Sequence, residues 1–213
     1  MCRLLLVKSK TEFPISYHLK KFSYIAENSR EYQGHGWGCV YLQNGSWKKY
    51  KNINPIWTDD PNQFGSSTYL LAHARSAFRD EGITIENNMP FQSGNIFFIF
   101  NGELHGVKIK EEGRIGAEKL FNYILRFYRK DQEAGFQRAL EIIEKRTNYI
   151  KAMNIIMTDK KQIYLASTHN EDHDYFTMYK KETENDLIIC SEPFPNETDW
   201  EKIPNNTRRI FAQ

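Results

Sequence analysis

No apolar run in this sequence approaches the ~20 residues needed to cross a bilayer. The opening Met-Cys-Arg-Leu-Leu-Leu-Val-Lys offers an apolar stretch of only four residues. That is too short for the apolar region of a signal peptide and reads as a buried strand. The sequons at Asn44, Asn196 and Asn205 then carry little weight, because an untargeted chain never meets the glycosylation machinery. Charge of one sign is also missing. With 29 basic and 27 acidic residues the net charge is +2, and the basic residues are spread rather than gathered on one face, which argues against nucleic acid as a partner. Cysteine is scarce: Cys2, Cys39 and Cys190 make an odd count without metal-type spacing, so each is expected as a reduced thiol in a cytoplasmic, non-membrane protein. Repeats, low-complexity segments and linkers are absent, and 213 residues fit one domain, 1–213.

What is present fills a core: 40% of residues are hydrophobic and 14% aromatic. A first strand is expected over about Cys2 to Val7. A helix should follow from about Ser16 to Ser29, where Leu19, Phe22 and Ile25 recur at helical spacing. Runs from Trp37 to Gln43 and Ser46 to Lys51 flank Asn44-Gly45, a dipeptide that accepts positive φ at both positions and so signals a hairpin. Tyr69 to Arg75 and Asn95 to Phe100 read as buried strands ending in polar residues. Ile115 to Lys130 and Gln132 to Lys145 read as helices. Strands are expected again at Ala152 to Met157, Gln162 to Ala166, Tyr175 to Lys180 and Leu187 to Cys190. Strands, then two consecutive helices, then strands again point to an α+β class built on antiparallel sheets.

Cys2 is the residue that could carry chemistry. Removal of Met1 is favoured when the next residue is small. The processed chain would then present a thiol and an α-amine on one residue. Such an amine titrates near ~7.7–8, so it can accept the thiol proton and later return it to a leaving amine. By position alone, Cys2 reads rather as a small apolar residue opening a strand.

The residues that follow add to this reading. Gly34-His35-Gly36-Trp37-Gly38, His73-Ala74-Arg75, Pro90-Phe91, Asn101-Gly102-Glu103-Leu104 and Glu118-Lys119-Leu120-Phe121 come in order. Together with Ser191-Glu192-Pro193, Trp200 and Pro204, this series resembles the small stand-alone class II glutamine amidotransferases, N-terminal-nucleophile hydrolases that begin with Cys. The resemblance spans essentially the whole chain. It implies a four-layer α/β/β/α sandwich and a Cys2 nucleophile. It makes Asn101 and Gly102 the oxyanion-hole pair and Arg75 the grip on a substrate carboxylate. His73, Trp37 and position 116 are placed with Arg75 at the substrate; His73 is read as a structural, hydrogen-bonded histidine rather than a catalyst, and His35 and Trp37 as shaping the loop beside the nucleophile or serving as turn and core residues. It calls for neither metal nor organic cofactor. His169 and His173 lie four apart in a polar run that reads as a loop, with nothing to fix both rings on one face. Cys39 and Cys190 read as inert core thiols.

Three departures from the family pattern stand out. The aspartate expected just before the helix-start Glu, which would bind a substrate α-amine, is Gly116. The residue before Pro90-Phe91 is Met89 instead of His. After Arg75, Ser76 and Phe78 replace the aromatic or basic residue and the hydroxyl common there. The resemblance therefore implies acyl-transfer machinery with an altered head-group site. The expected substrate is a small-molecule, glutamine-like or γ-glutamyl amide. Either a separate synthase polypeptide receives the released ammonia, or the protein is a plain hydrolase of such amides. The competing expectation is a catalytically silent relative that acts as a binding or regulatory partner.

Overall fold

Asn44 and Gly45 take positive φ values of 51° and 72°, and the hairpin they close joins β2 (Trp37–Gln43) to β3 (Ser46–Asn52) in the register Gln43↔Ser46 through Trp37↔Asn52. The computed structural model describes residues 1–211, which divide into two compact units.

The first unit holds residues 1–90 and 177–204. Its other elements are β1 (Arg3–Pro14), α1 (Ile15–Glu27), β4 (Ser66–Ala74), β9 (Tyr179–Glu182), β10 (Asp186–Cys190) and β11 (Glu201–Lys202). The strands form one antiparallel sheet in the order β11-β9-β10-β1-β4-β2-β3. Helix α1 buries Leu19, Phe22, Ile25 and Ala26 in one cluster with Leu5, Val7, Leu70, Ala72, Ala74 and Trp37. Successive strand residues point to opposite faces, so Leu5 and Val7 face α1 while Leu4 and Leu6 face away. All four are buried, which is why β1 opens with an unbroken apolar run rather than an alternating one. At the far edge, Lys48, Lys49 and Lys51 on β3 discourage pairing with another strand.

The second unit holds residues 91–176 and the chain from 205 onward. It comprises β5 (Phe91–Ser93), β6 (Ile96–Val107), α2 (Gly116–Tyr128), α3 (Gln132–Lys145), β7 (Thr147–Thr158), β8 (Ile163–His169), the single helical turn α4 (His173–Phe176) and β12 (Thr207–Phe211). Its antiparallel sheet runs β12-β8-β7-β6-β5. Phe121 of α2 stacks on Phe98 of β6, 5.1 Å between centroids, and Phe136 of α3 meets Tyr164 of β8 at 5.2 Å. The side chain of Asp131 caps α3 by accepting from the Ala134 N–H at 3.0 Å. Two antiparallel sheets with helices make the α+β class.

Four expectations change. The first strand continues to Pro14, and the strand expected to end at Phe100 continues to Val107 because β7 pairs with it over Phe97 to Val107. The strand expected from Tyr175 does not form. Asp172 takes φ 47° and its carbonyl accepts from the Tyr175 and Phe176 N–H groups, which winds the turn α4 before extended chain resumes at Tyr179. His169 ends a strand rather than lying in a loop.

Candidate active site

Cys2 sits just ahead of β1. Continuing the alternation of β1 places Cys2 with Leu4 on the face turned away from α1, and the same parity on β4 carries His73 and Arg75 there. The Cys2 thiol donates to the Ser76 carbonyl at 3.6 Å. Burial pushes its pKa up, while the N-terminal ammonium and Arg75 pull the other way. Arg75 is 4% exposed. Its Nη2 donates to the Gly82 carbonyl at 2.9 Å, whereas Nη1 meets no hydrogen-bond acceptor among the described residues. Burial lowers the guanidinium pKa and the charge of Cys2 opposes that, so the two groups are close enough to couple.

His35 fixes the loop beside them. Its Nδ1 accepts from the Ala77 N–H at 2.9 Å, which leaves the ring proton on Nε2, 3.6 Å from Asp80. Burial lowers its pKa, with Asp80 opposing. The turn before it returns through Gly36 at φ 98°, whose carbonyl accepts from the Arg75 N–H at 2.9 Å. His73 is fully buried in mid-sheet, opposite Leu4 and Gly38. Trp37 lies on the other face of the sheet, in the core under α1. Its indole N–H donates to Asp59 at 2.7 Å, and Asp59 also accepts from Tyr50 and Asn52. Its position is that of a core residue.

In the second unit Asn101 and Gly102 lie in the middle of β6, opposite Asn154 and Met153. They are not a turn. Phe98, which stacks on α2, has the opposite parity to Asn101, so Asn101 faces away from that helix. Asn101 is buried and so is Asn154. The Asn154 amide is locked: Nδ2 donates to the Phe176 carbonyl at 2.7 Å, and Oδ1 accepts from Ser167 at 2.8 Å. Glycine is required at 102, because a Cβ there would come within 2.2 Å of the Ala152 carbonyl oxygen. Asn154 was legible only as a polar residue inside an apolar run, a signal that names no role.

Gly116 is the first residue of α2, exposed, with nothing within 4 Å of where a Cβ would sit. The two neighbouring acids are engaged elsewhere. Glu118 pairs with Arg114, and Glu103 with His105 at 2.9 Å and Lys151 at 3.8 Å. Contrary to expectation the His169 and His173 rings do meet, Nδ1 to Nδ1 at 2.8 Å. No group of three or more His, Cys, Asp or Glu suited to a metal occurs among the described residues. Cys39 and Cys190 are buried, and burial raises both thiols, Cys190 to about 12. No helix among the described residues is long and apolar enough to cross a membrane.

No protein-family profile matches the chain, and no curated protein does. Solved structures do, and they show that it has the fold of the class II glutamine amidotransferases. A glutamine aminotransferase class-II domain protein from Silicibacter pomeroyi matches with TM-score 0.67 at 15% identity, over 99% of this chain and 95% of that one. A predicted glutamine amidotransferase from Pseudomonas aeruginosa gives TM-score 0.63 at 12% identity, over 99% and 97%. Glutamine phosphoribosylpyrophosphate amidotransferase from B. subtilis, complexed with ADP and GMP, gives 0.64 at 15% identity. That match takes 90% of this chain but only 42% of the other.

Proposed function

We propose that this chain is a cysteine amidohydrolase acting on a glutamine-like amide through a thioester. The observation that carries the reading is a thiol at residue 2 hydrogen-bonded to the Ser76 carbonyl, next in sequence to the buried Arg75, whose Nη1 offers a donor without an acceptor among the described residues. Removal of Met1 turns Cys2 into its own base. Its α-amine takes the thiol proton, and sulfur adds to the amide carbonyl. Asn101 and the Gly102 N–H stabilise the oxyanion, a role in which one donor typically accounts for ~10²–10³ in rate. Collapse breaks the C–N bond and the amine's proton leaves with ammonia. Water, deprotonated by the same amine, then attacks the thioester, breaks the C–S bond and returns a proton to sulfur as the carboxylic acid departs. Arg75 takes a carboxylate of the substrate in its planar fork.

With Gly116 in place of an acid, and with Glu118 and Glu103 held by their own partners, nothing is assigned to neutralise an α-ammonium. The substrate is accordingly an amide without the free amino-acid head group. In either case water takes the acyl group from the thioester; we favour a plain hydrolase that releases the ammonia to solvent over one that delivers it to a separate synthase.

The test is intact mass before and after incubation with a diazo-ketone glutamine analogue. Loss of Met1 and one adduct, abolished in Cys2→Ala, is the expected result. Retained Met1 would turn the reading toward a silent binding relative, whereas processed protein that takes no adduct would point to a pocket that does not accept glutamine. Efficient, saturable hydrolysis of glutamine itself would sink the head-group claim alone.

A further inference from the structure

The first half of the segment 76–88 is tied to the Cys2 site, and its second half is tied back to Gly82. The Ser76 carbonyl accepts from the Cys2 thiol at 3.6 Å, the Ala77 N–H donates to His35 at 2.9 Å, and Asp80 lies 3.6 Å from the other nitrogen of that ring. The Gly82 carbonyl then accepts from both Arg75 Nη2 and Asn87 Nδ2, each at 2.9 Å. Ala77 is buried, yet the large apolar side chains of the segment are not. Phe78 is 59% exposed, Ile83 40% and Ile85 42%. Five large exposed side chains among the described residues carry no polar atom: Ile53, Phe78, Ile83, Ile85 and Val107. Three of the five fall in this short stretch. Single exposed apolar residues need no explanation, whereas a cluster marks a surface that receives something. The cation of Arg79, 5.1 Å from the Phe78 ring centroid, still leaves most of that ring open.

We infer that the preferred substrate is an Nα-acylated glutamine whose acyl group is apolar, aromatic or long-chain, and that Phe78 is the residue that selects it. The inference rests on the amidohydrolase reading and narrows it. Two independent features converge. The buried, unsatisfied Nη1 of Arg75 calls for an anion, so the substrate retains its carboxylate. The exposed Phe78, Ile83 and Ile85 on the segment that holds Arg75 call for apolar surface, so another part of the substrate supplies it. Acylation of the α-nitrogen meets both. It adds the apolar group on the carbon that bears the carboxylate, and it removes the ammonium charge for which Gly116 leaves no partner.

The experiment compares three probes: glutamine, N-acetyl-glutamine and N-phenylacetyl-glutamine. Binding is measured by calorimetry on Cys2→Ala protein, and ammonia release on the unmutated protein. N-phenylacetyl-glutamine should bind at least about tenfold tighter than N-acetyl-glutamine, the scale on which a ring's burial discriminates. Phe78→Ala, on an exposed side chain that leaves the core untouched, should collapse that ratio toward one, and Phe78→Leu should restore part of it. A ratio near one in the parent protein, or one that survives Phe78→Ala, overturns the inference. Ammonia released from glutamine without any acyl preference overturns it while leaving the amidohydrolase reading intact. Phe78-dependent binding with no ammonia released from any probe overturns the amidohydrolase reading and leaves an acyl-glutamine binding site.

Discussion

Gln33, fully buried, donates from its side-chain Nε2 to the main-chain carbonyl of Met1 at 2.5 Å and to that of Glu31 at 2.8 Å. The Met1 carbonyl carbon is bonded to the Cys2 nitrogen, so removing Met1 leaves the new α-amine beside the same Gln33 donor. A donor there hydrogen-bonds the neutral amine and disfavours the ammonium. On the proposed mechanism, Gln33 would thereby help to keep the base ready to accept a proton. In Gln33→Glu a carboxylate would stabilise the ammonium and raise the amine's pKa. The rise of Cys2 labelling rate with pH should then shift to higher pH. Overlaid profiles for the two proteins would remove Gln33 from the mechanism.

Acid sensitivity of the fold should trace to His18. The ring is packed against Phe13 at 4.7 Å, Tyr17 at 5.0 Å and Phe194 at 5.9 Å. Burial, with Lys21 adding to it, lowers its pKa from 6.5 to about 4, against Glu197 and Asp186. A histidine with a depressed folded-state pKa favours the neutral form in the native state. Its contribution is complete above pH 6.5 and is lost as pH falls from 6.5 toward 4, by at most about 3 kcal/mol. Denaturant melts across that window should show the decline, and His18→Leu should flatten it. An unchanged slope in the variant would assign the acid limb to other groups.

The strand through Asn101 and Gly102 tolerates little. Gly102→Ala drives a Cβ into the Ala152 carbonyl, a backbone clash that cannot be relieved by a rotamer change. It should cost roughly 1–3 kcal/mol or more. Asn154→Leu strands the Ser167 hydroxyl and the Phe176 carbonyl in a buried site, each worth about 1–3 kcal/mol when left unsatisfied. Equilibrium unfolding reads both. Losses below about 0.5 kcal/mol, the level of an ordinary surface substitution, would contradict the network's role.

Gly116→Asp tests the head-group assignment from the opposite direction. Open space surrounds the position, and an acid in the first turn of α2 meets the positive end of the helix dipole for about 0.3–1 kcal/mol. Replacing glycine in a helix adds a gain of similar size. The variant should therefore melt higher, and its KM for glutamine itself should fall several-fold relative to N-acetyl-glutamine. Greater stability without that relative change would mean that residue 116 does not face the substrate's amine.

Much of this was readable before any coordinates. Helices α1, α2 and α3 announce themselves through 3.6-residue apolar spacing, because one face of each lies on its own sheet. The ordered series of short motifs around Cys2, Arg75 and Asn101-Gly102 pointed to the fold that the solved structures show. Other features depend on partners distant in sequence. Trp37 reads equally as a loop-shaping and as a core residue until the register of β2 turns it toward α1 and Asp59. His169 and His173 read as strangers in a loop until the end of β8 and the turn at Asp172 bring their rings together. The clearest contrast is between two identical dipeptides. Asn44-Gly45 is a hairpin turn, decided locally by two residues that accept positive φ. Asn101-Gly102 is mid-strand, because β7 supplies Asn154 and Met153 as cross-strand partners, and that pairing outweighs the turn preference of the dipeptide.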